Sequence, residues 1–249
     1  MSARVLAVTG TNTDVGKTIA AAALIAREQS SEQRVVYVKP AQTGLREGEP
    51  GGDADVVARL TRVPTHEFVR LPHPLAPAAA ARVVGVRLPG VAEHAERVVE
   101  LARGDVDVVV LEGAGGLLVQ VDSDGGTLAD LVRHVQAAGV DVEVVVVADP
   151  ALGTLNLCAL TQEALDSRGL ACAGYVFGAW PTTPSLVEEQ NALDVPAVTG
   201  RRLLGRVPAG AGRLDPATFA AAAPTWFADP GLSELGHPTC GDTREADHE

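Results

Sequence analysis

Six runs of β-branched and other apolar residues punctuate the chain: "VLAVTG" (5–10), "RVVYVKP" (34–40), "DVVVLEG" (107–113), "VEVVVVAD" (142–149), "ACAGYVFG" (171–178) and "LLGRVP" (203–208). Short continuous apolar runs of this kind suit strands buried on both faces. Segments with helical spacing fall between them, at 16–30, 53–62, 90–103, 127–138, 154–168 and 185–192. This alternation predicts an α/β fold, a mostly parallel sheet flanked by helices. Ligands of such sheets gather at the carboxyl ends of the strands, which here carry "TGTNTDVGKT", "KPAQTG", "EGAGG" and "DPALGTLN". No internal repeat interrupts the pattern, and "PHPLAPAAAAR" (72–82) reads as a linker leading into apolar helical sequence. One domain over 1–228 is expected, followed by a polar, acidic, loosely ordered tail over 229–249.

Composition narrows the function classes. The chain has 249 residues, 46% hydrophobic, enough for a sizeable core. Its longest apolar runs are far shorter than the ~20 residues of a membrane span, and no basic segment followed by an apolar stretch opens the chain. A cytoplasmic protein without membrane association is therefore expected. The net charge of −12 argues against a nucleic-acid surface, so any bound phosphate must be held locally. Cys158, Cys172 and Cys240 show no close pairing and read as reduced thiols, and the six histidines have no ligand-like spacing.

The chemistry concentrates in "GTNTDVGKT" (10–18). A strand, a glycine-bearing loop and a helix starting near Gly16 aim several backbone N–H groups at one point, where the helix dipole favours an anion. Lys17 adds a charge for terminal phosphates and Thr18 a hydroxyl where magnesium would bridge them. The loop is one residue longer than the common cradle, with five residues between Gly10 and Gly16. Magnesium needs hard oxygen ligands, and Asp53 and Glu112 are the candidates to join Thr18. Glu112 ends a very apolar strand, and Gly113 to Gly116 behind it allow close approach to phosphate. Asp53, with Asp55 beside it in "GGDAD", also fits a plain exposed helix start. Lys39 at the end of "VVYVKP" is either a second cation for the crevice or a snorkelling edge residue. These features predict a P-loop nucleoside triphosphate hydrolase-like fold.

Taken together, "GTNTDVGKT", "KPAQTG", "GGDAD", "VLEGAGGLLV" and "LGTLN" resemble the dethiobiotin synthase family, in this order and over roughly residues 4–210. The long loop is a mark of that family. The resemblance implies a homodimer with active sites at its interface, and an ATP-dependent ligase of biotin biosynthesis. Such a ligase closes a urea ring from 7,8-diaminopelargonate and carbon dioxide or bicarbonate. It implies that Asn12, Thr13, Asp14, Val15, Gly16, Lys17, Thr18 and Ile19 cradle the nucleotide, joined by Asp53, Glu112, Gly113, Ala114, Gly115, Gly178, Val207, Pro208 and Ala209. Thr18, Asp53 and Glu112 match the magnesium ligands, with Asp53 preferred to Asp55 because it stands six residues before Arg59. Lys39, Lys17 and Thr13 match the catalytic positions, and Thr43 matches a hydroxyl that touches the substrate amines. Gly153, Thr154 and Asn156 open a helix whose N–H groups would hold the substrate carboxylate from the partner subunit, unless Thr154 is a plain helix cap.

One departure stands out. The family pattern often has an asparagine that reads adenine after the fifth apolar run, whereas this chain has Gly178, Ala179 and Trp180. Backbone groups and stacking tolerate any base, so ATP or another nucleoside triphosphate is the expected co-substrate. Among rivals, a dimeric switch ATPase of the partition and septum-placement kind would normally carry an early loop lysine where Asn12 stands, and a basic membrane helix. An amidotransferase ligase needs a glutaminase domain, for which the roughly forty residues after "GRVPAG" leave no room.

Overall fold

A computed structural model of the chain describes residues 3–227, so the predicted tail at 229–249 lies outside the described residues. Seven strands build the main sheet: β1 (Arg4–Gly10), β2 (Val35–Lys39), β4 (Thr65–Glu67), β6 (Val108–Gly116), β7 (Val142–Ala148), β8 (Cys172–Trp180) and β9 (Leu203–Pro208). Their spatial order is β4-β2-β6-β1-β7-β8-β9, and every pairing is parallel. Two very short strands, β3 (Gln42–Thr43) and β5 (Arg70–Leu71), pair separately beside the carboxyl end of β2. Parallel strands need crossovers, and the helices that supply them cover both faces.

On one face lie α1 (Lys17–Ser30), α2 (Asp53–Thr61) and α8 (Pro216–Ala222). The other carries α4 (Val91–Ala102), α5 (Leu128–Ala137), α6 (Thr154–Asp166) and α7 (Leu186–Thr199). Side chains alternate along each strand, so β2 sends Val35 and Tyr37 into the first core and Val36 and Val38 into the second. With both faces covered, the alternation leaves few polar positions, and the central strands read as the valine-rich runs seen in the sequence.

Five strands and α-helices were not anticipated, among them the short strands β3 and β5. Within the 72–82 linker, α3 (Pro77–Val84) starts at Pro77, whose fixed φ and missing N–H suit a first helical position. Strand β4 and helix α8 are also additional. The predicted helix at 185–192 runs on to Thr199 through Pro196, because Val195 and Thr199 are buried and Gly200 ends the helix with φ 64°. The structure also extends two predicted strands, β6 through the glycines to Gly116 and β8 to Trp180.

Candidate functional site

The carboxyl ends of β1, β2 and β6 meet the amino ends of α1 and α2 around a cavity of about 670 Å³. Its floor is the 10–18 loop. Gly16 has φ 88°, a conformation that disfavours a side chain, and a Cβ there would collide with the carbonyl of Gly178. The loop therefore lies directly on the end of β8. Lys17 is buried and donates to the Asn12 carbonyl at 2.9 Å, closing the loop on itself, and burial lowers its pKa.

Period-two alternation puts Lys39 on the same sheet face as Tyr37, and Glu112 on the same face as Val110, both towards α1 and α2. There Thr18 comes from the first turn of α1 and Asp53 from the first residue of α2. The result is a compact charged cluster. The Thr18 hydroxyl lies 2.9 Å from Asp53 Oδ1 and 3.1 Å from Glu112 Oε1, its one proton serving one of them at a time. Lys39 Nζ sits between the carboxylates, 2.5 Å from Asp53 Oδ2 and 2.8 Å from Glu112 Oε1, and also donates to the Gly113 carbonyl. The Tyr37 hydroxyl donates to Glu112 Oε2 at 2.8 Å.

The electrostatics follow from burial. Lys39 and Glu112 are 3% and 1% exposed, which removes both the snorkelling-edge reading of the lysine and a solvated place for the glutamate. Burial works against the Lys39 charge, but Glu112 and Asp53 outweigh it and raise its pKa. For Asp53, burial pushes upward, while Lys39 and the Thr18 hydrogen bond prevail and hold the carboxyl below its ordinary value. Glu112 is raised by burial, with Lys39 opposing. An array of two hard carboxylate oxygens and a hydroxyl suits a magnesium ion that takes its other ligands from phosphate and water. Among the described residues, no group of three or more His, Cys, Asp or Glu is arranged to hold a metal unaided.

Asp53 and Asp55 face different ways. Asp55 Oδ2 accepts from the N–H groups of Gly51 and Gly52 and is the cap of α2, whereas Asp53 faces the cavity. Gln42 fixes that arrangement by accepting the Asp53 N–H at 2.8 Å. Thr13, Asp14, Ile19, Thr43, Ala114 and Gly115 also line the cavity, with Pro74 to Pro77 as an opposite wall that the sequence did not suggest. Gly178, Val207, Pro208 and Ala209 lie beyond this lining, where the Ala209 N–H donates to the Trp180 carbonyl and Arg206 stacks over the Trp180 ring. The turn at 153–156 is likewise not part of it. Gly153, with φ 98°, precedes α6 without a side-chain cap, and the Thr154 hydroxyl pairs with Cys158 Sγ, so Thr154 is not the helix cap.

A strand, a cradle loop closed by Lys17 and Thr18, and acidic residues on the neighbouring strand and helix define a P-loop nucleoside-triphosphate-binding protein. The fold agrees: the structure of chloroplast FtsY from Physcomitrella patens superposes with a TM-score of 0.50 at 20% identity, covering 90% of this chain and 65% of that one. A family model described as an AAA domain matches residues 4–213. The ATP-dependent dethiobiotin synthetase BioD of Rhodococcus jostii is 49% identical, covering 90% of this chain and 94% of its own length. Its namesakes in Streptomyces avermitilis and Streptomyces coelicolor are 47% and 48% identical, covering 98% and 91% of this chain and 96% and 92% of their own lengths. The chain belongs to the ATP-dependent dethiobiotin synthetase family. That membership sets aside the switch-ATPase reading.

Proposed function

We propose that the protein closes the ureido ring of dethiobiotin from 7,8-diaminopelargonate, carbon dioxide and a nucleoside triphosphate, as a step of biotin biosynthesis. The observation that carries this reading is the buried Lys39 between Asp53 and Glu112 beside the Lys17 loop, in a chain of this family. A phosphoryl-transfer site needs positioned positive charge and no side-chain nucleophile. One substrate amine captures carbon dioxide as a carbamate, whose oxygen attacks the γ-phosphoryl group and releases the nucleoside diphosphate. The second amine then attacks the mixed anhydride, and phosphate leaves as the ring closes.

In this reading Lys17 and the N–H groups of residues 12–19 hold the phosphates, and Lys39 neutralises charge on the carbamate and the transferring group. Thr13 stands beside them, and Thr43 faces the amines. Thr18, Asp53 and Glu112 would hold magnesium, which when bound neutralises charge on the phosphate oxygens. Gly113, Ala114 and Gly115 lie along the phosphates, and Gly178 with Val207, Pro208 and Ala209 flanks the base.

A homodimer completes the site. Helices α6 and α7 pack together, α6 exposing Leu160 and α7 exposing Leu186 and Leu193, while Leu152 stands exposed in the turn before α6, with Leu152 88% and Leu186 72% exposed. Exposed leucines on a pair of packed helices are the kind of surface that protein interfaces cover. They support a second copy that brings its own 153–156 turn to the substrate carboxylate. No helix among the described residues is long and apolar enough to cross a membrane, and the cytoplasm, where nucleoside triphosphate is available, is the compartment this reading calls for. The test is incubation with diaminopelargonate, bicarbonate and magnesium nucleotide. Phosphate release that requires diaminopelargonate is expected, and release independent of it would overturn the assignment.

A further inference from the structure

Glu112 has two carboxylate oxygens, and they are used differently. Oε1 faces Lys39 and Thr18 at the cavity, while Oε2 is turned inward to Tyr37. Tyr37 is fully buried, two residues before Lys39 on β2, and its ring packs among apolar residues beneath α1 and α2. Most other core positions of this strand carry valine. A valine or phenylalanine at 37 would satisfy packing but leave Oε2 of a 1% exposed carboxylate without that donor. The carboxylate would then be free to rotate about its terminal torsion, which has no sharp energy wells of its own.

We propose that Tyr37 is a positioning residue for the metal and phosphate end of the site, its hydroxyl pinning Glu112 Oε2 so that Oε1 is the oxygen presented to Thr18 and an incoming cation. The inference rests on the nucleotide and magnesium reading above, and not on the identity of the second substrate. Partners one bond removed from a metal ligand act by fixing its orientation, and their loss typically weakens metal binding about 10–100-fold. Tyr37 stands in that relation to Glu112. Lys39 does not replace it, because Lys39 meets the other oxygen.

The experiment is Tyr37→Phe, which keeps the ring and removes the hydroxyl. Manganese affinity is read by electron paramagnetic resonance on the full-length protein with a non-hydrolysable ATP analogue. A loss of about tenfold is expected, with KM for diaminopelargonate within about twofold of the parent. In a Glu112→Gln background the Tyr37→Phe effect should disappear, since the hydroxyl acts through that carboxylate. Unchanged manganese affinity together with a lowered melting temperature would make Tyr37 a packing residue only and overturn the proposal.

A second measurement does not depend on the variant folding. The chain has two tyrosines, Tyr37 and Tyr175, and Tyr175 is bonded instead to the Cys158 carbonyl and Gln162. After 3-fluorotyrosine labelling, manganese nucleotide should broaden the Tyr37 fluorine resonance far more than that of Tyr175. Equal broadening would overturn the proposal. A parent protein that binds no manganese nucleotide would sink the site reading and this inference together, whereas one that binds it but is inert towards diaminopelargonate would sink only the ligase assignment.

Discussion

Replacing Lys39 with methionine removes one charge and little volume, and its consequences follow from the three-residue cluster. Lys39 lies 2.5 Å from Asp53 Oδ2 and 2.8 Å from Glu112 Oε1, and its side chain is 4% exposed. Deleting one partner of a buried ion pair costs about 3–5 kcal/mol, because the remaining charge stays buried without compensation. Here two carboxylates are left facing each other, so one of them takes up a proton. Glu112 is the acceptor, since burial already raises its pKa and Lys39 is the charge that opposes this rise. The folded variant then binds a proton that the unfolded chain lacks, so its stability falls as pH rises wherever that proton is held, by at most about 1.4 kcal/mol per pH unit. The deficit relative to the parent should therefore be largest at pH 8, up to about 3–5 kcal/mol, and smaller at pH 6, where protonation relieves the unpaired carboxylates. Urea unfolding followed by circular dichroism at pH 6, 7 and 8, with EDTA and without nucleotide, measures it. A deficit that is the same at all three pH values, or none at pH 8, would refute Lys39 as the shared counter-ion. At pH 7 the folded variant should lose about a hundredfold or more in turnover, as expected for removing a charge that stabilises a transferring phosphoryl group.

Asp53→Asn should raise the magnesium concentration needed for half-maximal activity, whereas Asp55→Asn should leave it unchanged and cost about 1 kcal/mol of stability through the α2 cap; the reverse pattern would exchange their roles. Discrimination among ATP, GTP, CTP and UTP in kcat/KM should stay below about a hundredfold, because Gly178 and Ala179 offer the base no side-chain hydrogen bond. Gly178→Asn should not restore adenine preference: its Cβ would fall inside contact distance of the Val15 carbonyl, so nucleotide affinity should drop by about tenfold or more, as titration calorimetry would show. Leu160→Asp and Leu193→Asp should each turn a dimer into a monomer in analytical ultracentrifugation and abolish ring closure; an active monomer would refute the interface reading.

The main sheet was legible because each long strand is buried on both faces and so appears as a valine-rich run between helical patterns. Strands β3, β4 and β5 were not, since runs of two or three residues give no period. Helix α3 hid within an alanine run whose only boundary signal is Pro77, and Pro196 masked the end of α7 although that helix simply runs through it. At the site, Lys17 and Thr18 declare themselves by motif, and Glu112 by being a charge in an apolar strand. Tyr37 escaped notice for the opposite reason, because an aromatic residue in such a strand reads as packing and nothing in a linear pattern shows where its hydroxyl points. The assignment of Asp53 and Asp55 needed the backbone: both begin the same helix, and only the direction of the first turn separates the residue facing the cavity from the residue closing the cap.

A cluster of three charges, with Lys39 and Glu112 fully buried, is a poor device for stability alone, because well-packed apolar residues of similar volume commonly do as well or better. Its retention in the core between β2, β6, α1 and α2 calls for another reason, and the geometry offers one. Without the lysine, two carboxylates aimed at one spot would repel each other or take up a proton, and a protonated Glu112 is a worse donor to a hard cation. With Lys39 between them, both oxygens can stay ionised and oriented before any ligand arrives. On the proposed reading, Thr18, Asp53 and Glu112 would hold the cation, and Lys39, which meets the same two carboxylates, would neutralise charge on the phosphate beside it. Lys39 is the shared counter-ion of the two carboxylates, and the proposed function gives the same charge a second use beside the phosphate. For that reason Lys39→Met should cost both stability and turnover, while Tyr37→Phe should weaken chiefly the metal.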